Sequence, residues 1–282
     1  MKPQDKFGSS FETAKELPET SWKRKTIQAA SAASSQAEAI GKSGGFQGSA
    51  LSTPVDLREK LEAFLLSLGV SDVGFSKPEA EGLEKTPYAV TLVVRLSHPI
   101  VDEIEGEPTL TYFSHYRAVN AFLDQCLLKA GLFLDRAGYQ YITVAASQSM
   151  NQKGCNYQGR FSHKQAACAA GLGVIGKSSL FLHHRFGPRV RLATLFADCP
   201  FPVENALPAS LCGSCRKCVD SCPSGAILGP EWVPGMPRKL LFDPEKCSQH
   251  MKRQYQHIGR GAVCGICMRV CPRYERSVIR WE

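Results

Sequence analysis

Apolar residues begin to recur with helical spacing at about residue 53, after a polar stretch. Thr53 and Pro54 precede Leu57, Leu61, Phe64, Leu65 and Leu68 on one face, and Gly69 closes the run. A capping residue, a first-turn proline and a terminal glycine around such a stripe predict an amphipathic helix. Residues 88–96 are rich in β-branched side chains and predict a strand. Residues 112–136 return to the helical period, with Val119, Phe122, Leu123, Leu127 and Leu134 towards a core. Residues 141–147 predict a second strand. A polar loop, 148–161, leads to Ser162-His163-Lys164-Gln165, which has the form of a capping box opening a helix. That helix runs into Ala170-Gly171-Leu172-Gly173-Val174-Ile175-Gly176-Lys177. Residues 179–183 and 189–197 predict paired strands joined through Phe186-Gly187-Pro188. In the second of them Val190, Leu192, Thr194 and Phe196 face one way, and Arg189, Arg191, Ala193 and Leu195 the other. The elements amount to an α+β chain.

Residues 1–51 read differently. They are rich in Ser, Ala, Gln and Gly with few large apolar residues, the composition of a disordered extension. Trp22-Lys23-Arg24-Lys25 is not followed by the apolar segment an export signal needs. The expected organisation is therefore an extension over 1–51, an α/β domain over 52–205 and a cysteine-rich module over 206–282. No apolar run approaches the roughly 18–20 residues that span a bilayer, so no membrane association and a cytoplasmic location are expected. The formal net charge is +8, and from Cys212 onward 12 Lys or Arg face 6 Asp or Glu, an excess of +6. Such a surface suits an acidic protein partner or nucleic acid, or it compensates bound anionic groups.

Twelve cysteines are present, eight of them after residue 211. The first run is Cys212-x2-Cys215-x2-Cys218-x3-Cys222-Pro223, and the second is Cys264-x2-Cys267-x3-Cys271-Pro272, with Cys247 standing alone between them. Three thiolates at this spacing wrap three corners of a cubane, while the cysteine before proline points to the other cluster. Two 4Fe–4S clusters are expected: one on Cys212, Cys215, Cys218 and Cys271, the other on Cys222, Cys247, Cys264 and Cys267. C-x2-C pairs also bind zinc, but the trailing Cys-Pro in both runs points to iron–sulfur and to a reducing compartment. Cys126 and Cys168 fall on helices and read as buried thiols; Cys155 lies in the polar loop, as an incidental thiol or one facing a cofactor.

The segment 170–177, the Asp198-Cys199-Pro200 region, the two cysteine runs and Cys247 resemble epoxyqueuosine reductases, and Phe186-Gly187-Pro188-Arg189-Val190-Arg191-Leu192 is similar to the related reductive dehalogenases. The likeness covers about residues 52–276 in order. It implies a nitroreductase-like core that buries a corrinoid (cobalamin) beside a ferredoxin-like double-cluster module. It implies an oxidoreductase in which the clusters bring cobalt to a low-valent state that removes an epoxide oxygen or a halide. A reduced ferredoxin or flavodoxin would be the electron donor. The reductases carry an Asp in an Asp-Thr/Ser-x-Pro motif about a dozen residues before the glycine segment. Here that region reads Asn156-Tyr157-Gln158-Gly159-Arg160-Phe161-Ser162-His163, and no Asp occurs between Tyr139 and Ala197. Tyr157 or His163 would then donate the proton. The reductases commonly continue into a helical-repeat domain that grips tRNA, whereas this chain ends 11 residues after Cys271, which weakens the expectation of a tRNA partner.

Other expected cofactor contacts are His115 and Tyr116 at the start of the long helix, Ser162, the glycines Gly171, Gly173 and Gly176, Lys177 and Ser178 after them, and Arg189 and Arg191 on their strand. The glycines lack the spacing of a dinucleotide loop and follow a helix rather than a strand, which excludes a Rossmann reading. Each polar residue also has a plain structural reading: His163 as the solvated start of a helix, Tyr157 as a loop aromatic on the core, Arg189 and Arg191 as a solvated strand face, His115 and Tyr116 as an exposed helix end. Two rivals to a corrinoid epoxide reductase stand: a non-catalytic electron carrier or corrinoid-reducing partner, and a minimal reductive dehalogenase.

Overall fold

The computed structural model describes residues 53–148, 157–203 and 210–274. The proposed extension 1–51 and Cys155 lie outside them. All described residues belong to one compact unit, spanning 51–282.

Helix α1 (Pro54–Ser67) starts as its sequence predicts: Thr53 caps it, accepting from the Asp56 amide, while Asp56 accepts in return from the Thr53 amide. Strand β1 (Asp72–Ser76) pairs antiparallel with β2 (Tyr88–Arg95). The short α2 (His98–Asp102) leads to the long α3 (Leu110–Arg136), capped by Thr109. Strand β3 (Tyr141–Val144) is shorter than its apolar pattern suggests. Helix α4 (His163–Ala169) is followed by a small hairpin, β4 (Gly173–Ile175) and β5 (Phe181–His183), and then by β6 (Val190–Ala197).

The main sheet has the order β1-β2-β6-β3, antiparallel throughout. Helices α1 and α3 cover one face, and α4 with the β4–β5 hairpin covers the other. The alternation along β6 follows this layering: Ala193, Leu195 and Ala197 join the core under α1 and α3, while Val190, Leu192 and Phe196 pack on the opposite face. Leu61, Leu65, Leu123, Leu127 and Leu134 are fully buried, each contributing about 1.5–3 kcal/mol of apolar burial.

Three local expectations are corrected. The strands at 179–183 and 189–197 do not form a ladder: β5 pairs with β4, and β6 has both edges taken by β2 and β3. Ser162 stands at the N-cap of α4 without a side-chain cap; its backbone carbonyl accepts from the Gln165 amide at 2.8 Å. The strand β1 and the helix α2 have no counterpart among the expected elements, because each is only five residues long.

Among the described residues beyond 210 regular structure is sparse. It comprises α5 (Lys217–Asp220), a 3-10 turn (Arg238–Leu240), α6 (Pro244–Gln254) and α7 (Ile266–Arg269). Ile258, Val263, Ile266 and Met268 from this region enter the same core as α1 and α3. Among the described residues no helix is long and apolar enough to cross a membrane. Cys126, Cys168 and Cys199 are buried free thiols.

Candidate functional site

Glycines in the left-handed region, Gly213 after Cys212 and Gly265 after Cys264, let the chain reverse tightly at the start of each cysteine run. The Cys215 amide donates to the Cys212 carbonyl at 3.1 Å, closing the first turn. Cys218 lies on α5, Cys247 on α6 and Cys267 on α7.

The structure gathers the thiols into two groups that cross the sequence order. Burial first, then the negative charges of Cys271, Cys212 and Cys215, push the Cys218 thiol up to about 11. Burial, then Cys264 and Cys222, push Cys247 up to about 11. Cys267 is raised by burial, then by Cys264, Cys247 and Cys222, and last by Cys218 of the first group. Cys222 goes the other way. Burial opposes its ionisation, but the Ser224 hydroxyl and the amides of Ser224, Ala226 and Ile227 outweigh it. Clustered thiols that resist ionisation call for a cationic metal core to hold them as thiolates.

Among the described residues, the only trio of His, Cys, Asp or Glu whose ligand atoms all lie within 4.8 Å of one another is Asp72, His183 and His184. The cysteine groups are therefore more open than a single tetrahedral ion requires, since zinc–sulfur bonds of about 2.3 Å put sulfurs about 3.8 Å apart. They fit a polynuclear core. The trio itself belongs to the fold: the Arg185 and Phe186 amides donate to His183 Nδ1, so Nε2 carries the proton and donates to Asp72 at 3.0 Å.

A cavity of about 600 Å³ lies beside the main sheet. Its walls are the end of β3, the loop 157–162, the start of α4, β6 and the segment 232–241, and it reaches Met268, the neighbour of Cys267. Val144, Ile175, Phe181, Val190 and Leu192 make an apolar floor. Tyr157 lines it with φ at +62°, and its carbonyl accepts from Arg238 Nη1 at 2.7 Å. His163 also lines it, with Nδ1 2.9 Å from the Thr194 hydroxyl and Nε2 3.0 Å from the Ala145 carbonyl. Burial is the main reason the imidazole falls to about 4, outweighing the Ala145 hydrogen bond. Arg191 Nε donates to Asn120 Oδ1 at 2.9 Å, and its guanidinium lies over the Tyr116 ring at 4.5 Å. Burial works against ionisation of the Tyr116 phenol, yet Arg191 and the hydrogen bonds to Ser147 and Asn120 hold it below the usual range.

Of the residues singled out in the sequence, Tyr157, Ser162, His163 and Arg191 line this cavity, and Tyr116 stands behind it against Ser147 and Arg191. The others lie elsewhere. His115 Nε2 accepts from the Ser97 amide. Arg189 is fully buried and bonds Asp102 at 2.7 Å. Gly171 adopts φ +73° after α4, and Gly173 sits against the Leu182 carbonyl. Gly176 packs near Cys212 Sγ. Lys177 donates to the carbonyls of Gly213 and Cys215, and Lys177 and Ser178 border Cys212, Cys215, Cys218 and Cys271. Gly176, Lys177 and Ser178 thus back the first cysteine group, while Ile175 of the same segment faces the cavity. Lys164, Trp232, Met236 and Arg238 line the cavity without having been expected there. Lys164 follows His163 in sequence, but nothing local marks the segment 232–241 as a cavity wall.

Residues 211–273 match the model of the 4Fe-4S double cluster binding domain. An epoxyqueuosine reductase of Listeria monocytogenes serovar 1/2a is 26% identical over 254 residues, covering 78% of this chain and 65% of that protein. One from Pseudomonas aeruginosa is 34% identical over 119 residues, covering 39% and 30%. The tetrachloroethene reductive dehalogenase of Sulfurospirillum multivorans is 32% identical over 117 residues, covering 38% and 22%. The match thus spans between 22% and 65% of the length of these curated relatives. Among solved structures, the catabolic reductive dehalogenase NpRdhA in complex with 3-bromo-4-hydroxybenzoic acid superposes with a TM-score of 0.64 at 23% identity, covering 83% of this chain and 34% of that one. An epoxyqueuosine reductase with a tRNA-Tyr epoxyqueuosine-modified stem loop does so with a TM-score of 0.53 at 19% identity, covering 77% and 65%. These likenesses give the fold: a mixed helix and sheet core ending in a double-cluster domain.

Proposed function

We propose that this chain is an iron–sulfur reductase whose cavity holds a corrinoid and whose substrate is an epoxide or an organohalide. One observation carries the reading: a cavity of about 600 Å³ beside the sheet reaches Met268, the residue after Cys267. The chemistry of the walls suits a corrinoid, whose broad ring needs apolar contact on its faces and amide partners at its rim. When bound, the corrinoid supplies the two-electron reduction of the carbon–oxygen or carbon–halogen bond, with electrons from two 4Fe–4S clusters.

On this reading Cys212, Cys215, Cys218 and Cys271 hold one cluster, and Cys222, Cys247, Cys264 and Cys267 the other. The core over 52–205 is nitroreductase-like and binds the corrinoid, and 206–282 is the cluster module. Exposed Arg216 and Lys217 beside Cys215 and Cys218 offer a reduced ferredoxin or flavodoxin, both acidic, a docking point. Tyr157 holds the proton at its hydroxyl for the leaving atom. His163, neutral and occupied at both ring nitrogens, positions β6 against the exit of β3. The segment carrying Trp232 and Met236 keeps water from the chamber.

Anaerobic reconstitution with iron, sulfide and hydroxocobalamin, followed by desalting and metal analysis, tests this. About eight irons, from two four-iron clusters, and about one cobalt per chain are expected, with Tyr157→Phe retaining both metals and losing turnover. Retention of iron without cobalt, and no reduction of an epoxide or organohalide by a competent donor, would turn the assignment to an electron carrier.

A further inference from the structure

Four cations line the cavity: Arg160, Lys164, Arg191 and Arg238. No carboxylate stands among its described lining residues, and the sequence holds no Asp or Glu between Tyr139 and Ala197. Three of the four make hydrogen bonds to neutral acceptors. Lys164 Nζ donates to the Ser179 carbonyl at 2.7 Å and its hydroxyl at 3.3 Å. Arg191 donates to Asn120 Oδ1, to the Ala146 carbonyl and to the Tyr116 hydroxyl. Arg238 donates to the Tyr157 carbonyl. Outside the cavity the same fold gives a buried arginine a carboxylate, as Arg189 has in Asp102.

Lys164 and Arg238 come from α4 and from the segment after residue 210, and they are near enough to repel. Burial first and Arg238 second bring the Lys164 ammonium down to about 8, with Cys168 acting the other way; the thiol facing Arg238 is Cys247. Lys164 and Arg191 are half-buried and Arg238 is exposed at the mouth, and with four cations and no carboxylate among the lining residues their field is directed into the chamber.

We propose that Lys164 and Arg238, with Arg191 behind them, form an anion site that takes a carboxylate or phosphate group of an organic ligand. It deepens the reading of this cavity as the reaction chamber and relies on that reading only for which molecule carries the anion: the substrate, or a corrinoid through the phosphate of its nucleotide tail.

The test is calorimetric titration of the cluster-reconstituted full chain with inorganic phosphate and with benzoate. Saturable 1:1 binding of at least one is expected, weakened about tenfold or more in Lys164→Gln and in Arg238→Gln, as for loss of a charge-assisted hydrogen bond. Lys164→Arg and Arg238→Lys restore it. Should one neutral variant lose its iron, the other carries the comparison. Absence of binding by both anions to the wild-type chain, or equal binding to the neutral variants, overturns the site. Repeating the titration with bound cobalamin and with cobinamide, which lacks the nucleotide phosphate, separates the sources. Blocking by cobalamin alone assigns the anion to the cofactor, and an open site under both assigns it to the substrate. A chain that binds phosphate through Lys164 yet retains no cobalt keeps the anion site and loses the corrinoid reading.

Discussion

His163 joins two strands through one ring. Its Nδ1 meets the Thr194 hydroxyl on β6 and its Nε2 the Ala145 carbonyl just past β3, so Nε2 carries the proton and Nδ1 accepts in the neutral form. Burial lowers its pKa from 6.5 to about 4. The unfolded chain takes up a proton that the folded one refuses, so this stabilisation is complete above pH 6.5 and is lost as pH falls towards 4. The full loss amounts to about 3–4 kcal/mol at about 1.4 kcal/mol per pKa unit. Urea unfolding at pH 7, 5.5 and 4.5 checks it: wild type should lose more stability over that range than His163→Gln, and equal losses would assign the acid sensitivity to other groups. The same residue shows what the sequence leaves open. A histidine at a helix start reads equally as donor or as solvated end, and only its two distant partners decide.

Among the elements, the β4–β5 hairpin explains the glycine segment. A Cβ on Gly173 would run into the Leu182 carbonyl and lie 2.8 Å from Phe181 and 2.9 Å from the His183 Cα. Backbone cannot yield as a side-chain tip can, so Gly173→Ala should cost about 1–3 kcal/mol. Gly82→Ser is the control, because nothing lies within 4 Å of its Cβ position, although its φ of +73° carries its own strain. A midpoint for Gly173→Ala no lower than that of Gly82→Ser would contradict the packing. The long helix and the capped α1 were legible because periodicity and capping are local properties of the chain. The pairing of β5 was not, since a three-residue strand carries too little pattern to name its partner.

For the molecule as a whole, Gly187 and Arg189 tie the sheet to the end of the cysteine-rich region. Gly187 holds φ +56°, and a Cβ there would overlap the Arg273 carbonyl. Arg189 bonds Asp102 and lies 3.8 Å from the centre of the Tyr274 ring, which also meets His98. Cys271 is two residues from Arg273, so a displaced loop moves a cluster ligand. Gly187→Ala should therefore lower both the melting temperature and the iron retained after reconstitution. Full iron with an unchanged melt would show that the two regions are not coupled there.

The spacing of seven cysteines declared their chemistry without any structure, because the reach of a thiolate around a cluster is set within a few residues. The sequence likewise determined the apolar stripes of the long helix and the absence of any acid from residues 139–197. Why Lys177 backs a cysteine turn, and how Lys164 comes to stand near Arg238, were decided by the tertiary structure. Each depends on groups tens of residues apart, brought together by burial of a shared apolar core, and burial is proportional to surface and blind to sequence order.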